Sequence, residues 1–486
     1  MSRCHSLFTV AACALLAAGC GGGGGAGGVA ATTPVGGIDR SGQSVGPVTG
    51  LGSVFVNGIE FDTRQAQITV NGQSALERDL KVGQVVTVTG TRNDARTTGT
   101  ASAVSYHSDV EGPLSAVDLT AKRLTVLGQT VQVDDATVFA GVTPADITGV
   151  AVNDNLEVSG LQGSGGGLLA TRIEKPAPPA TLQVRGRVTA LDTALKTFAV
   201  GAQVVDYSGV TLIGFPGNLI NNGDQVEVSA PAPVGSAALR ATRVAKVSGS
   251  PAGAAGAHSE IEGLVTRFAS ASDFDVAGQK IVTTAATRFE SGTAADIRLG
   301  ARIEAEGTVD GNGALVADQL EVKAASNARV AGRITGIDSA GKRLTVLGKV
   351  IATTTGTQYE DRSTVQKVPF GFADLLSNDF VEVRGVPGSA GVDVVATRIE
   401  RQDANAGTAQ EVRGRIAAID APNFSFVVTG VTVTVAANAE LHDRNGQTVT
   451  RAAFFALLQV NTQVRAHGTS PGPGLLTATE VELDDG

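Results

Sequence analysis

Val184 to Asp192 reads Val-Arg-Gly-Arg-Val-Thr-Ala-Leu-Asp. The phrase returns as Val-Ala-Gly-Arg-Ile-Thr-Gly-Ile-Asp at 330–338 and as Val-Arg-Gly-Arg-Ile-Ala-Ala-Ile-Asp at 412–420, with looser copies starting near Gly52, Gly112 and Gly263. A middle phrase, Lys-Arg-Leu-Thr-Val-Leu-Gly, occupies 122–128 and 342–348, and a closing Ala-Thr-Arg-Ile or Ala-Thr-Arg-Val begins at Ala170, Ala241 and Ala396. Self-similarity at this period means an array of like domains. In the copy at 184–246, apolar alternation predicts five strands at about 184–191, 197–201, 203–207, 225–229 and 239–246. Between the third and fourth, Phe372–Leu376 and Arg451–Leu458 in other copies carry apolar residues at helical spacing, enough for a short helix. Three strands, a short helix and two strands is the element order of the OB-fold.

The fold class expected is therefore all-β: a tandem array of about six small five-stranded OB-like barrels behind a signal peptide and a flexible tether. Pro, Gly and Ala gather at 175–180, 249–258, 324–327 and 401–408, which sets the domain boundaries. The expected division is 1–19 signal peptide, 20–50 lipidated cysteine and tether, then repeats at 51–108, 109–175, 181–248, 259–323, 328–401 and 409–486. Six such globules in line would span on the order of 150 Å. Each core must use Val, Ile, Leu, Ala and Phe, because the chain has no Trp, three Tyr and one Met.

The Gly-Arg-[Val/Ile] opening strands, the Val-Glu-Val type fourth strands and the Ala-Thr-Arg closing strands resemble a family of bacterial lipoprotein domains catalogued as a domain of unknown function, numbered five-six-six-six. The resemblance implies a small barrel and an envelope location, and no activity.

Arg3 followed by the apolar run Leu7 to Leu16 reads as a signal peptide, too short for a stable membrane span. Leu16-Ala17-Ala18-Gly19-Cys20 resembles the lipobox of bacterial lipoproteins, which makes Cys20 the expected lipidation site and first mature residue, and the membrane the expected partner through that lipid. Gly21 in place of aspartate implies, by the same resemblance, delivery to the outer membrane. Residues 21 to about 50 are rich in Gly, Ala, Thr and Ser and read as a tether. The three cysteines, Cys4, Cys13 and Cys20, all precede it, so disulfides, thiolate metal sites and cysteine nucleophiles are excluded from the folded region. A net charge of −9 opposes a sequence-independent grip on phosphates, so nucleic acid is not an expected partner.

Catalytic apparatus is not visible, and no cofactor or metal is expected. His107, His258, His442 and His467 fall at different phases of different repeats, with His258 in a linker, and read as solvent-exposed. Asp118, Asp192, Asp338 and Asp420 recur where the first strand ends and read as turn residues rather than cation or sugar ligands. Asp310-Gly311-Asn312-Gly313 reads as a hairpin turn, since it lacks the ligand spacing of a calcium loop. The outward positions of the fourth and fifth strands predict cross-strand pairs of Glu157 with Arg172, Glu227 with Arg243, Glu382 with Arg398, and Arg465 with Glu480 in reversed polarity. Glu157, Glu227, Glu304 and Glu382 as a row of ligand carboxylates is the competing reading.

Two functions remain. One is a non-catalytic binding or adhesion array in the cell envelope, whose barrel-mouth loops contact an envelope protein or a polysaccharide. The longer insertion Tyr359 to Val368 fits this reading. The other is a structural spacer without a specific ligand.

Overall fold

The computed structural model describes residues 40–93, 97–176, 181–232, 238–247, 252–324, 326–404, 409–444 and 446–484. The signal peptide, Cys20 and the tether up to residue 39 lie outside the described residues. Within 40–484 there are six closed barrels, at 40–106, 110–174, 181–246, 258–322, 328–402 and 410–484.

Barrel 2 shows the plan. Its first strand, Val110–Asp118, pairs antiparallel with the second, Arg123–Val126, which pairs with the third, Gln129–Gln132. The third runs parallel to the fifth, Leu168–Glu174, and the fourth, Asn155–Gln162, lies between the fifth and the first. The order 1-2-3-5-4-1 closes the sheet and leaves no open edge among these five strands, as in the OB-fold. Val110, Leu124, Val131, Leu156, Val158 and Ile173 fill the interior, alternating along their strands with outward residues.

Two features depart from the expected unit. Each of the first five barrels has an additional short strand after the third, laid parallel to the later half of the fifth, such as Val138–Ala140 and Gln358–Asp361; in barrel 6 it is fused into the long strand Val431–His442. The helix expected in two copies forms as an α-helix only at Arg451–Leu457, capped by Thr450; at Phe372–Asp374 there is a single 3₁₀ turn. Barrel 1 also begins earlier than expected. Arg40–Gly50 is its first strand, paired residue for residue with Val85–Arg92, so the tether cannot extend to residue 50. Its Gly, Ser and Gln content imitates a linker, yet backbone pairing requires no apolar side chain.

The fifth strand carries a β-bulge opposite a recurring glycine of the fourth: Gly90, Gly160, Gly307, Gly385 and Gly468. A Cβ there would lie 1.9–2.6 Å from a carbonyl oxygen of the fifth strand, too close for any side chain. Barrel 3 has Ala230 at this position, and it is the barrel whose fifth strand breaks, into Ala238–Arg240 and Arg243–Lys246.

The barrels do not string out in line. The first strand of barrel 2 pairs with the first strand of barrel 3 at Val110↔Val184 and Glu111↔Gln183. That of barrel 5 pairs with that of barrel 6 at Val330↔Val412, and that of barrel 1 runs parallel to that of barrel 4 at Val45↔Ile261. Partners 1 and 4 are not neighbours in sequence, so the expected extended array is replaced by a folded-back assembly. One continuous apolar core joins barrels 2 and 3, and another joins 5 and 6.

Gly468→Ala should cost about 1–3 kcal/mol through forced overpacking. Gly472→Ala, where a Cβ would meet nothing within 4 Å, should change stability by less than about 0.5 kcal/mol. Urea unfolding of both variants checks the contrast.

Candidate functional site

Side chains pointing outward from strands 1, 4 and 5 are the ones that meet a neighbouring barrel. At the middle of that face three residues stand directly opposite one another. They are Glu111, Glu157 and Glu174 in barrel 2, Glu262, Glu304 and Glu321 in barrel 4, and Ala331, Glu382 and Glu400 in barrel 5. The observed register differs by two from the expected pairing; in barrels 2, 5 and 6 the hairpin accounts for one residue and the bulge for the other. Arg172 thus faces Ser159, Arg398 faces Arg384, and Glu480 faces His467. Glu227 faces Ala245 but still reaches Arg243 diagonally, so that contact alone among the four forms.

The charges find other partners, many of them in another barrel. Glu157 accepts a hydrogen bond from Tyr106 of barrel 1 at 2.7 Å, while Arg172 pairs with Glu174 at 2.8 Å and donates to the Val82 carbonyl of barrel 1 at 3.1 Å. Arg329 reaches Glu382 at 2.6 Å and Glu411 of barrel 6 at 3.2 Å, and Arg465 reaches Glu411 at 3.2 Å. At the seam between barrels 1 and 4, Arg92 pairs with Glu306, which His258 also approaches at 3.2 Å; Ser44 donates to Glu260 at 3.3 Å. A narrow crevice there is lined by Gln43, Ser44, Phe61, Arg92, His258 and Glu260. His258 is thus a buried strand residue, hydrogen-bonded to the Gly307 carbonyl, rather than an exposed linker residue. His107, in the link between barrels 1 and 2, sits 2.8 Å from Glu227 of barrel 3.

Burial sets the protonation of these groups unless a cation opposes it. Burial would raise the Glu382 carboxyl, but Arg384 and Arg329 hold it below the usual range. In barrel 4 burial and neighbouring carboxylates push Glu260 well above that range, and burial raises Glu304 despite Lys323 at 2.9 Å. Glu111 is pushed up to about 7 by burial and by the charge of Glu157 opposite it. Among the described residues no group of three or more His, Cys, Asp or Glu is arranged to hold a metal ion.

The aspartates ending the first strands act in turns. Asp192 accepts from the Ala194 and Leu195 amides at 2.9 Å, Asp338 from Ala340 and Gly341, and Asp118 from Ala121. Asp310 likewise accepts from Asn312 and Ala314. In each, one carboxylate oxygen, Oδ1, is committed to the backbone.

One end of each barrel carries the turn between strands 1 and 2 beside the turn entering strand 4, which in barrel 3 are joined by Leu191 donating to the Asn222 side chain at 3.1 Å. The second turn is pinned by a buried residue three places before a positive-φ residue: Leu80, Val150, Ile220, Ile297, Leu375 and Leu458. Around that pin, barrels 2 to 6 each leave a large apolar side chain exposed, namely Val152, Leu219, Leu299, Leu376 and Val460. Leu119, Leu195 and Phe268 add to it from the strand 1–2 turns of barrels 2, 3 and 4. Barrel 1 differs. Its Val82 is buried, the fifth strand of barrel 2 lies against Gly83, and Pro369 of barrel 5 lies against Gly52. The insertion at Tyr359 to Val368 is therefore partly an internal brace. Asp361 accepts from the Ser363 and Lys367 amides and pairs with Arg401, while Val365 and Val368 stay exposed. The pinned turn was legible as a repeated apolar residue three places before Gly or Asn, a signal the strand-based reading passed over.

Glu111 yields a pH prediction. Its folded carboxyl holds a proton up to about pH 7, whereas in the unfolded chain it ionises near the ordinary value of 4.5, so it costs stability progressively as pH rises through that window. Glu111→Gln removes the cost. The melting temperature of the variant relative to the native chain should be higher at pH 8 than at pH 5; an equal difference at both would refute the assignment.

Comparison with known families supports the repeat structure. A family model described as "Domain of unknown function (DUF5666)" matches five times in tandem, at 111–174, 185–245, 262–321, 331–400 and 413–482, about two thirds of the chain. The matches coincide with barrels 2 to 6. Barrel 1 shares the fold without being matched. No curated protein matches the chain at a significant level. The chain belongs to the DUF5666 family, as a tandem array of its domains.

Proposed function

We propose that this chain is a non-catalytic binding array of the cell envelope, held to the membrane by lipid on Cys20, whose barrels 2 to 6 present their mouths to one envelope partner. The observation that carries this reading is the set of five mouths, each with an exposed apolar side chain, beside a sixth in barrel 1 that is covered from within the chain. Apolar contacts from several mouths of one chain would act together, and such linkage raises avidity by about 10²–10⁴ over a single contact. A protein partner fits better than a polysaccharide. Sugars usually stack on exposed rings, and among the large exposed apolar side chains of the described residues only Phe268 is aromatic. The folded-back packing of barrel 1 on barrels 2, 4 and 5 weighs against the spacer reading, because a chain selected for reach gains nothing by pairing sequence-distant barrels.

Two measurements test the proposal. Cys20→Ser should move the chain from the membrane fraction to the soluble one. In the lipidated chain, Val152→Asp, Leu219→Asp, Leu299→Asp, Leu376→Asp and Val460→Asp should each weaken recovery of envelope partners by crosslinking, and all five together should abolish it. Unchanged crosslinks in the fivefold variant would refute the assignment of the mouths.

A further inference from the structure

Four arginines of barrels 5 and 6 converge on one short segment of barrel 2. Arg384 Nη1 donates to the Asp135 carbonyl at 2.7 Å and Arg398 Nη1 to the Thr137 carbonyl at 3.4 Å; Arg362 Nη2 donates to the Phe139 carbonyl, and Arg413 pairs with the Asp135 carboxylate. The three carbonyls are two residues apart along a segment that begins in a turn, where Asp134 accepts from the Ala136 and Thr137 amides, and ends in a strand. The segment leads into the additional strand Val138–Ala140, whose other edge is already paired with the fifth strand of barrel 2. The arginines thus cap a free strand edge, supplying side-chain donors where another strand would supply amides.

The row is built before it is filled. Glu382 holds Arg384 at 2.7 Å, Glu360 and Glu400 hold Arg398 at 2.5 and 2.8 Å, and the same two glutamates hold Arg362 at 3.2 and 3.3 Å. Arg398 is 2% exposed and Arg384 9%. Such bracing fixes the guanidinium forks, so little side-chain freedom is lost when a carbonyl arrives. The contacts read main chain and one carboxylate, and no apolar core crosses this seam: the continuous cores join barrels 2 with 3 and 5 with 6. Each side keeps its own core if the seam parts, and polar interfaces between domains permit such motion.

We propose that Arg362, Arg384, Arg398 and Arg413 form a binding site for the carbonyl edge of an acidic polypeptide segment that passes from a turn into a strand, filled in the resting chain by residues 135–139 of barrel 2 and open to such a segment of another protein when the seam parts. The site is separate from the barrel mouths and stands whether or not they bind a partner. Because the internal segment competes at an effective concentration on the order of millimolar, the resting chain is masked toward an external peptide.

The test uses the full chain and a fluorescent peptide of sequence 133–141, read by anisotropy. Asp135→Lys in the chain sets a cation against Arg413 and should tighten binding of the external peptide by about tenfold or more, as the competing segment is removed. Asp135→Asn, which only removes the charge, should give a smaller gain in the same direction and serves if the lysine variant does not fold. Adding Arg384→Gln and Arg413→Gln to either variant should abolish the gain, as should lysine in place of the second aspartate of the peptide. Equal peptide affinity in the native and Asp135 variants, or a gain that survives loss of the two arginines, would overturn the proposal.

Discussion

The first strand of each barrel is hydrogen-bonded along both of its edges, and the assembly depends on that constraint. In barrel 2, Val110 faces Val158 of the fourth strand on one side and Val184 of barrel 3 on the other, before the strand bends to pair with Arg123–Val126. A closed barrel has no spare edge, so a neighbour can join its backbone only on the edge of the first strand away from the fourth, before that edge meets the second strand. The two same-order pairs use equivalent positions, Val110 with Val184 and Val330 with Val412. Barrels 1 and 4 use the same strands in parallel. The opening phrase that repeats through the sequence is therefore also the strand by which the barrels join.

Once joined there, the outward faces of strands 1, 4 and 5 come out of water with their charges on them. Buried charges are costly unless paired, and removing one partner of such a pair is more damaging than never having had it. The chain meets this cost unevenly. Barrel 5 sets arginines against its glutamates and holds the Glu382 carboxyl below the usual range, whereas barrels 2 and 4 place three carboxylates side by side, where burial raises Glu111 and Glu304. Two kinds of junction result. Apolar cores fuse barrels 2 with 3 and 5 with 6, while barrels 1 and 4, each with a core of its own, join by backbone pairing and charged contacts. Each barrel of this chain is thus a small aliphatic unit whose inner faces are specialised copy by copy, while the turn entering strand 4 keeps a buried aliphatic pin. Barrel 1, unmatched by the family model, has barrels 2 and 5 packed against its two turns.

The barrel, the repeat period and most strand positions were legible in the sequence because each depends on local alternation and on phrases repeated within about 70 residues of one another. Turn aspartates such as Asp192 and Asp338 were legible for the same reason, since their partners lie two or three residues away. What failed had non-local causes. Arg40–Gly50 lacks apolar alternation and forms a strand because Val85–Arg92 is there to pair with it. The cross-strand register was displaced by two because the hairpin offsets it by one and the bulge opposite Gly160 and its equivalents, which exists only when two strands are brought together, adds another. His258, placed in a linker by composition, became buried because barrel 1 docks over it. The fate of each outward glutamate and arginine was the least legible: solvent and a neighbouring barrel select the same charged residue types, and contacts such as Arg384 with Asp135 join positions 249 residues apart. By itself the sequence determined the barrel and its turns, whose interactions are short-range; the tertiary structure alone decided which charged faces meet, because that choice depends on backbone edges left free after each barrel has closed.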